Sequence, residues 1–358
     1  MANRFWNKQN ASQNWNATAP TNWSSVSLVV VNAAIPTASD DVFFDGLGGG
    51  ANDCTFNSNQ SILSLDMTGY GNQFVHNSGV TLTIAGNGVT CKFAGTYVGN
   101  QTSSGILFTG TSGTTLFTPP STALRGTTIN GVGGAVQLQS ALTGDTIFLE
   151  GGTLDTNGKA VTLTDRFDNT IITNSRTLTL GASALSMPGW NCTTTNFTVT
   201  ANTATVTLTG ASSTLAFGGI NWNGLSVIVT GTGKTISGSN TFSALTFNPS
   251  TAQTLLFTAS TTQTVTTFTC NGTGSKQLTL NSTSAGTKWN IAISGSSSAS
   301  YVTVKDSTAT GAGTPVNDAT GGINSGNNTG WTFPGGLFRV ASLDGLGGAG
   351  PKNFIPLS

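Results

Sequence analysis

Five acidic residues lie close enough along the chain to be weighed as a catalytic set: Asp145, Glu150, Asp155, Asp165 and Asp168. Glycoside cleavage takes two carboxylates a few ångströms apart, one to protonate the leaving oxygen and one to act as base or nucleophile. These residues would approach one another if the chain returned on itself in adjacent coils. Their contexts favour a quieter role. Thr143-Gly-Asp145 and Asp155-Thr-Asn-Gly158 are turn sequences, in which aspartate binds nearby backbone. No residue is therefore assigned as catalytic.

The other reactive groups are isolated. His76, the single histidine, sits in Phe74-Val-His-Asn-Ser78 with no serine or cysteine motif that would make it a general base. Cys54, Cys91, Cys192 and Cys270 lack the paired spacing of a zinc or redox site and read as small buried hydrophobes. Gly48-Gly-Gly-Ala-Asn-Asp53 is similar to a glycine/aspartate calcium turn, but calcium solenoids repeat that turn many times. Asp45-Gly-Leu-Gly-Gly49 returns as Asp344-Gly-Leu-Gly-Gly348, which marks a shared loop geometry rather than ligands. Neither a metal nor a cofactor is expected. Trp190, Trp222 and Trp289 would stack on sugar rings if exposed, yet isolated tryptophans in strand proteins more often fill cores. Glycine-rich segments precede strands here, whereas a phosphate cradle needs a following helix N-terminus.

The elements that carry these residues are strands. Apolar and hydroxyl residues alternate in Leu63–Met67, Val80–Ile84, Val161–Thr164, Thr177–Leu180, Thr205–Thr209, Gln277–Leu280 and Tyr301–Val304. That period of two gives each strand one inward face. Gly, Asn and Ser clusters such as Thr230-Gly-Thr-Gly233 supply the turns. No segment shows a 3.6-residue apolar rhythm, and Glu150 is the only glutamate, so the chain is read as all-β. Threonine, serine and asparagine ladders, weak internal similarity and few charges favour an elongated β-solenoid, a parallel β-helix-like body, over the alternative of tandem β-sandwiches.

Composition narrows the function classes. The 358 residues include 47 glycines, and only 7% are charged, so hydroxyl and amide groups must provide solubility. The 13 basic and 13 acidic residues cancel, which argues against nucleic acid and anionic lipid as partners. No carboxylate lies between Asp168 and Asp306, where the only charges are Arg176, Lys234, Lys276, Lys288 and Lys305. The N-terminus has no apolar stretch of the signal-peptide kind, and no apolar run is long enough for a membrane-spanning helix. The expectation is a chain made soluble in the host cytoplasm, for which an exterior location would require a route other than signal-peptide export, release inside an assembled virus particle being one such route.

Three regions follow. Residues 1–50 form a cap or attachment region, in which Phe5, Trp6 and Trp15 close one end of the core. Residues 51–333 form the strand-rich body, closed at the other end by Trp331 and Phe333. Residues 334–358 are punctuated by glycine and proline but carry apolar anchors, and so read as an extended docking arm. Its partner-docking residues are Leu337, Phe338, Arg339, Phe354, Ile355 and Leu357.

Two parts of the sequence resemble a repeat-rich family of tailed-phage virion proteins and related bacterial surface proteins. One is Arg4-Phe-Trp6 with Asn14-Trp15 and Pro36-Thr-Ala-Ser-Asp-Asp-Val-Phe-Phe-Asp45. The other runs from Asn240-Thr-Phe-Ser-Ala-Leu-Thr-Phe247 through Thr261-Thr-Gln-Thr-Val265 and Tyr301-Val-Thr-Val304 to Gly326-Asn-Asn-Thr-Gly-Trp331. At the N-terminus the family's glycine-rich Trp segment is replaced by Asn7-Lys-Gln-Asn-Ala-Ser12, and the tail after residue 333 lies outside the resemblance. The resemblance implies a β-solenoid on a particle exterior and no particular activity.

The sequence is thus read as a non-enzymatic virion structural protein, a capsid decoration or head fibre, with other capsid or tail proteins as partners. Self-association as a homo-oligomer, such as a trimer, would bury exposed edges and faces. The alternatives are a tail fibre or adhesin that binds host surface glycans and, third, a polysaccharide depolymerase.

Overall fold

A computed structural model describes residues 1–7, 12–18, 20–28, 31–47, 52–99, 105–211, 214–314 and 321–333. Within them 32 strands and no helix form a parallel β-solenoid of about 13 turns. Successive coils pair in parallel, which excludes tandem sandwiches, since those are built from antiparallel sheets. Each coil visits three faces in turn. The first face begins with a separate three-stranded sheet, Cys54–Phe56, Gln73–His76 and Thr96–Gly99, and resumes in the main sheet with strands that include Ala184–Met187, Thr205–Leu208 and Ser226–Val229. The second runs from Gln60–Ile62 and Thr81–Ile84 to Val302–Val304 and Ile323–Asn324. The third starts at Ala2–Trp6 and Asp40–Phe43 and includes Thr90–Lys92, Thr114–Thr118, Arg176–Thr179 and Phe197–Thr200. Residues 1–7 and 40–43 are therefore stacked continuously with the coils that follow them.

Alternation dictates what points inward. On the first face Leu142, Val161, Leu185, Val206, Val227, Leu245 and Phe268 lie in one register row, all buried. Each such side chain, removed from water, contributes about 1.5–3 kcal/mol. The adjacent outward row reads Thr162, Ser186, Thr207, Ile228, Thr246, Thr269 and Ser298, so hydroxyls cover the solvent side. Coil length is uneven: 38 residues separate Ala2 from Asp40 in the first coil, and beyond it the spacing runs from 18 residues between Val227 and Leu245 to 29 between Thr267 and Ser296. Loops at the corners absorb the difference, and the register rows survive.

The corner between the second and third faces is too tight for side chains. Gly86, Gly110, Gly131 and Gly152 stack there, and a Cβ on any of the last three would land on the carbonyl oxygen of the glycine one coil earlier. Further along, the corner is filled by amides. Asn240 Nδ2 donates to Gln263 Oε1 at 2.9 Å, and Gln263 Nε2 donates to the Gly238 carbonyl at 2.8 Å, which satisfies polar groups deep in the body.

Aromatic clusters close both ends, and another, of Phe167, Trp190, Phe217, Trp222 and Phe242, lies in the middle of the shaft. Trp6, Trp15 and Trp23 are buried together around Phe44, with Trp15 and Trp23 rings 4.5 Å apart between centroids. Phe5 is half-buried and stacks on Phe43 at 5.1 Å. At the other end half-buried Trp331 packs edge-on against Trp289 and Phe268 and stacks on Phe333 at 6.5 Å. Its indole donates to Ser307 Oγ at 2.9 Å. Within Gly326-Asn-Asn-Thr-Gly-Trp331, Asn328 donates to the Val304 carbonyl at 2.7 Å and Asn327 to Asp306 at 2.8 Å. These asparagines tie the last described coil to the one before it.

Candidate functional site

Ion pairs are concentrated in one stretch of the shaft. Among the described residues there are four: Arg4 with Asp40 at 3.6 Å in the first coils, and three on consecutive coils between residues 125 and 168. The register explains the clustering. Gly126, Thr146 and Arg166 align on successive strands of the second face, so residues about 20 apart in sequence become neighbours.

Four of the five sequence-flagged carboxylates meet on this face. Asp145 pairs with Arg125 Nη1 at 3.2 Å and accepts from Thr164 Oγ1 at 2.7 Å. Asp165 takes Arg166 Nη1 at 2.7 Å and Thr146 Oγ1 at 3.1 Å. Asp168 accepts from Arg166 Nε at 3.0 Å, from the Thr170 amide and hydroxyl at 2.9 and 2.7 Å, and from Asn191 at 3.2 Å. Glu150 accepts from Asn130 Nδ2 at 3.1 Å and pairs with no cation among the described residues. Asp155 is separate. It lies on the third face, bound by Gln137 Nε2 and by the Asn157 amide, both at 2.8 Å.

Electrostatics divide the pair at the centre. Burial raises the Glu150 carboxyl above the ordinary glutamate value, and the negative charge of Asp168 adds to this. Burial also pushes Asp168 up, but hydrogen bonds from Thr170, Arg166 and Asn191 outweigh it and hold that carboxyl below the ordinary aspartate value. Oppositely displaced carboxyls are what acid–base chemistry requires. Asp168, however, is held by four donors and its side chain is only 9% exposed, so it is poorly placed to meet a substrate as base or nucleophile.

The remaining sequence candidates are structural in their surroundings. His76 is fully buried between Phe56, Phe74 and Tyr97. Its Nε2 lies 2.9 Å from the Val80 carbonyl, which can only accept, so Nε2 carries the proton and the Tyr97 hydroxyl donates to Nδ1 at 2.9 Å. Burial lowers its pKa from 6.5 to about 4. All four cysteines are buried and unpaired. Burial raises each thiol, that of Cys192 to about 12, which makes them unreactive. Trp190, Trp222 and Trp289 are sealed in the core, so stacking of these rings on a sugar is ruled out.

Asp53 receives the Gln73 amide at 2.9 Å, and no group of three metal-ligating side chains occurs among the described residues. Gly48–Ala51 lie outside the described residues, as do Asp344 and the docking residues Leu337, Phe338, Arg339, Phe354, Ile355 and Leu357.

Two of the five cations between Asp168 and Asp306 are interior. Arg176 is 1% exposed, and its guanidinium donates to the carbonyls of Asn169, Thr195 and Asn174. Lys234 is fully buried, with Nζ donating to the Pro188 carbonyl at 2.7 Å. The one sequence signal was their position: each opens an alternating strand where an inward residue is due, Arg176 before Leu178 and Lys234 before Ile236.

Comparison of the chain with protein-family models, with curated proteins and with solved structures gives no match.

Proposed function

We propose that this chain is a non-enzymatic structural protein displayed on the exterior of a virus particle, as a capsid decoration or head fibre, and assembled as a homo-oligomer such as a trimer. The observation that carries the non-enzymatic part is the state of the carboxylates. Each of Asp145, Asp165 and Asp168 accepts from a neighbouring coil, Asp145 from Arg125 and Thr164, Asp165 from Thr146 and Asp168 from Asn191, so their oxygens are committed to cohesion between coils. A shaft with a continuous inward apolar row, polar interior groups that find hydrogen-bond partners and a hydroxylated surface suits a rod that must resist shear and proteolysis. Placement on a particle rests on the sequence resemblance described above. In this reading residues 334–358 dock on other virion proteins.

The test is imaging of purified particles carrying a label on this chain, alongside a version lacking residues 334–358. The shortened protein is expected to fold and melt like the full chain while failing to join particles. Its full incorporation would overturn the docking assignment, and absence of the intact chain from particles would overturn the virion assignment.

A further inference from the structure

On the second face a trough crosses several coils parallel to the solenoid axis. Its floor exists because two consecutive outward positions, Gly105 and Gly126, carry no side chain. Thr81 precedes them and Thr146 follows them in the same register row. Four rungs at about 4.8 Å spacing make the trough about 14 Å long. One wall is the neighbouring outward row of Leu107, Thr128 and Phe148. The Arg125–Asp145 ion pair forms the other wall, and Arg166 lies 6.0 Å from the Phe148 ring centre at one end.

The volume is about 480 Å³, within the range of small-molecule sites. Other surface depressions, beside Pro119, Pro188 and Asn202, are as large, so size does not single this trough out. Its lining does. The depression beside Pro188 also has charged groups, Asp165 and Arg166, but its aromatic residue, Trp190, is buried; of these four the trough alone combines a half-exposed aromatic ring, an aliphatic wall and charged hydrogen-bonding groups.

The chemistry of the walls selects the occupant. Arg125 is already neutralised by Asp145, while Glu150 has no cation, so an anionic ligand meets net repulsion. A ligand rich in hydroxyl donors suits Glu150, and Asn130 beside it offers both a donor and an acceptor. A ligand with apolar ring faces suits Leu107 and Phe148. We infer that this trough binds a neutral saccharide chain lying along the solenoid axis, its ring faces against Leu107 and Phe148 and its hydroxyls on Asn130, Glu150 and the Arg125–Asp145 pair. The inference goes beyond the structural role and does not depend on where the protein is mounted.

The full-length protein would be applied to a printed array of neutral and anionic microbial glycans, and the strongest neutral hit titrated by calorimetry against wild type and variants. Gly105→Leu fills the floor without backbone strain, because among the described residues a Cβ there meets only the Gly126 carbonyl oxygen, at 3.6 Å. It is expected to weaken binding at least about tenfold with an unchanged melting temperature. Glu150→Gln should weaken it by a similar factor, and Thr200→Leu, beside a different depression, should leave it unaltered. Retention of no neutral glycan, preference for anionic glycans, or wild-type affinity in Gly105→Leu would each overturn the assignment. Absence of the protein from virus particles would not touch it.

Discussion

Acidification should loosen the first coils through a single side chain. The fold holds His76 neutral, with its two nitrogens committed to Tyr97 and Val80 and aromatic rings around it. Protonation would put a charge into that interior and remove the acceptor for the Tyr97 hydroxyl. The native pKa lies below the unfolded one, so the native state binds fewer protons. The stabilisation is complete above pH 6.5, declines as pH falls from 6.5 towards about 4, and is gone below that. A displacement from 6.5 to about 4 corresponds to about 3 kcal/mol across the window.

Because the chain has one histidine, a proton NMR titration reads it without assignment, and its ring signals should stay in the neutral position until near pH 4. Thermal melts of wild type and His76→Gln between pH 7 and 4 isolate the effect from other carboxylates. The variant should be less stable at pH 7, by about 1–3 kcal/mol for the orphaned Tyr97 hydroxyl, and should lose less stability on acidification. A native titration midpoint near 6.5, or parallel pH profiles for the two proteins, would refute the reasoning.

Three further outcomes test the packing. Leu245→Ala, in the middle of the inward row on the first face, should cost about 2–5 kcal/mol by leaving a cavity, visible as a lower melting temperature by circular dichroism. Gly131→Ala should destabilise by more than about 1 kcal/mol, because the new methyl group meets the Gly110 carbonyl at the corner, and hydrogen exchange should quicken in the coils around residues 110–152. Arg176→Leu should leave three buried or partly buried carbonyls without their donor and lower stability by about 1–3 kcal/mol, whereas the same change at half-exposed Arg166 should cost less.

The strand faces were legible because inward and outward residues alternate so consistently. Val206 and Leu208 point in and Thr205 and Thr207 out, as the pattern Thr205-Val-Thr-Leu-Thr209 requires. Coil register was not legible, since a repeat of 38 residues in the first coil and of 18 to 29 in those that follow leaves no fixed period to detect. One local signal was present. Arg125, Asp145 and Asp165 recur at the coil length of that region, so the ion-paired face was written in the spacing of its charges. Buried Arg176 and Lys234 broke the usual rule because backbone carbonyls, invisible in composition, satisfy them. Val26-Ser-Leu-Val-Val-Val31 has the size of a strand, yet Val26 and Leu28 are exposed and the described part is a turn, with Leu28 at φ 63°.

Uneven coils have a further consequence. Where the loops joining the faces differ by up to a dozen residues while the rows beneath them stay aligned, length and alignment are uncoupled. Peptides inserted in the exposed turns at 250–252 or 284–287 should ride on the shaft without disturbing the rungs on either side. The molecule is in this sense a ruler with replaceable markings, able to present new segments at set heights along its length.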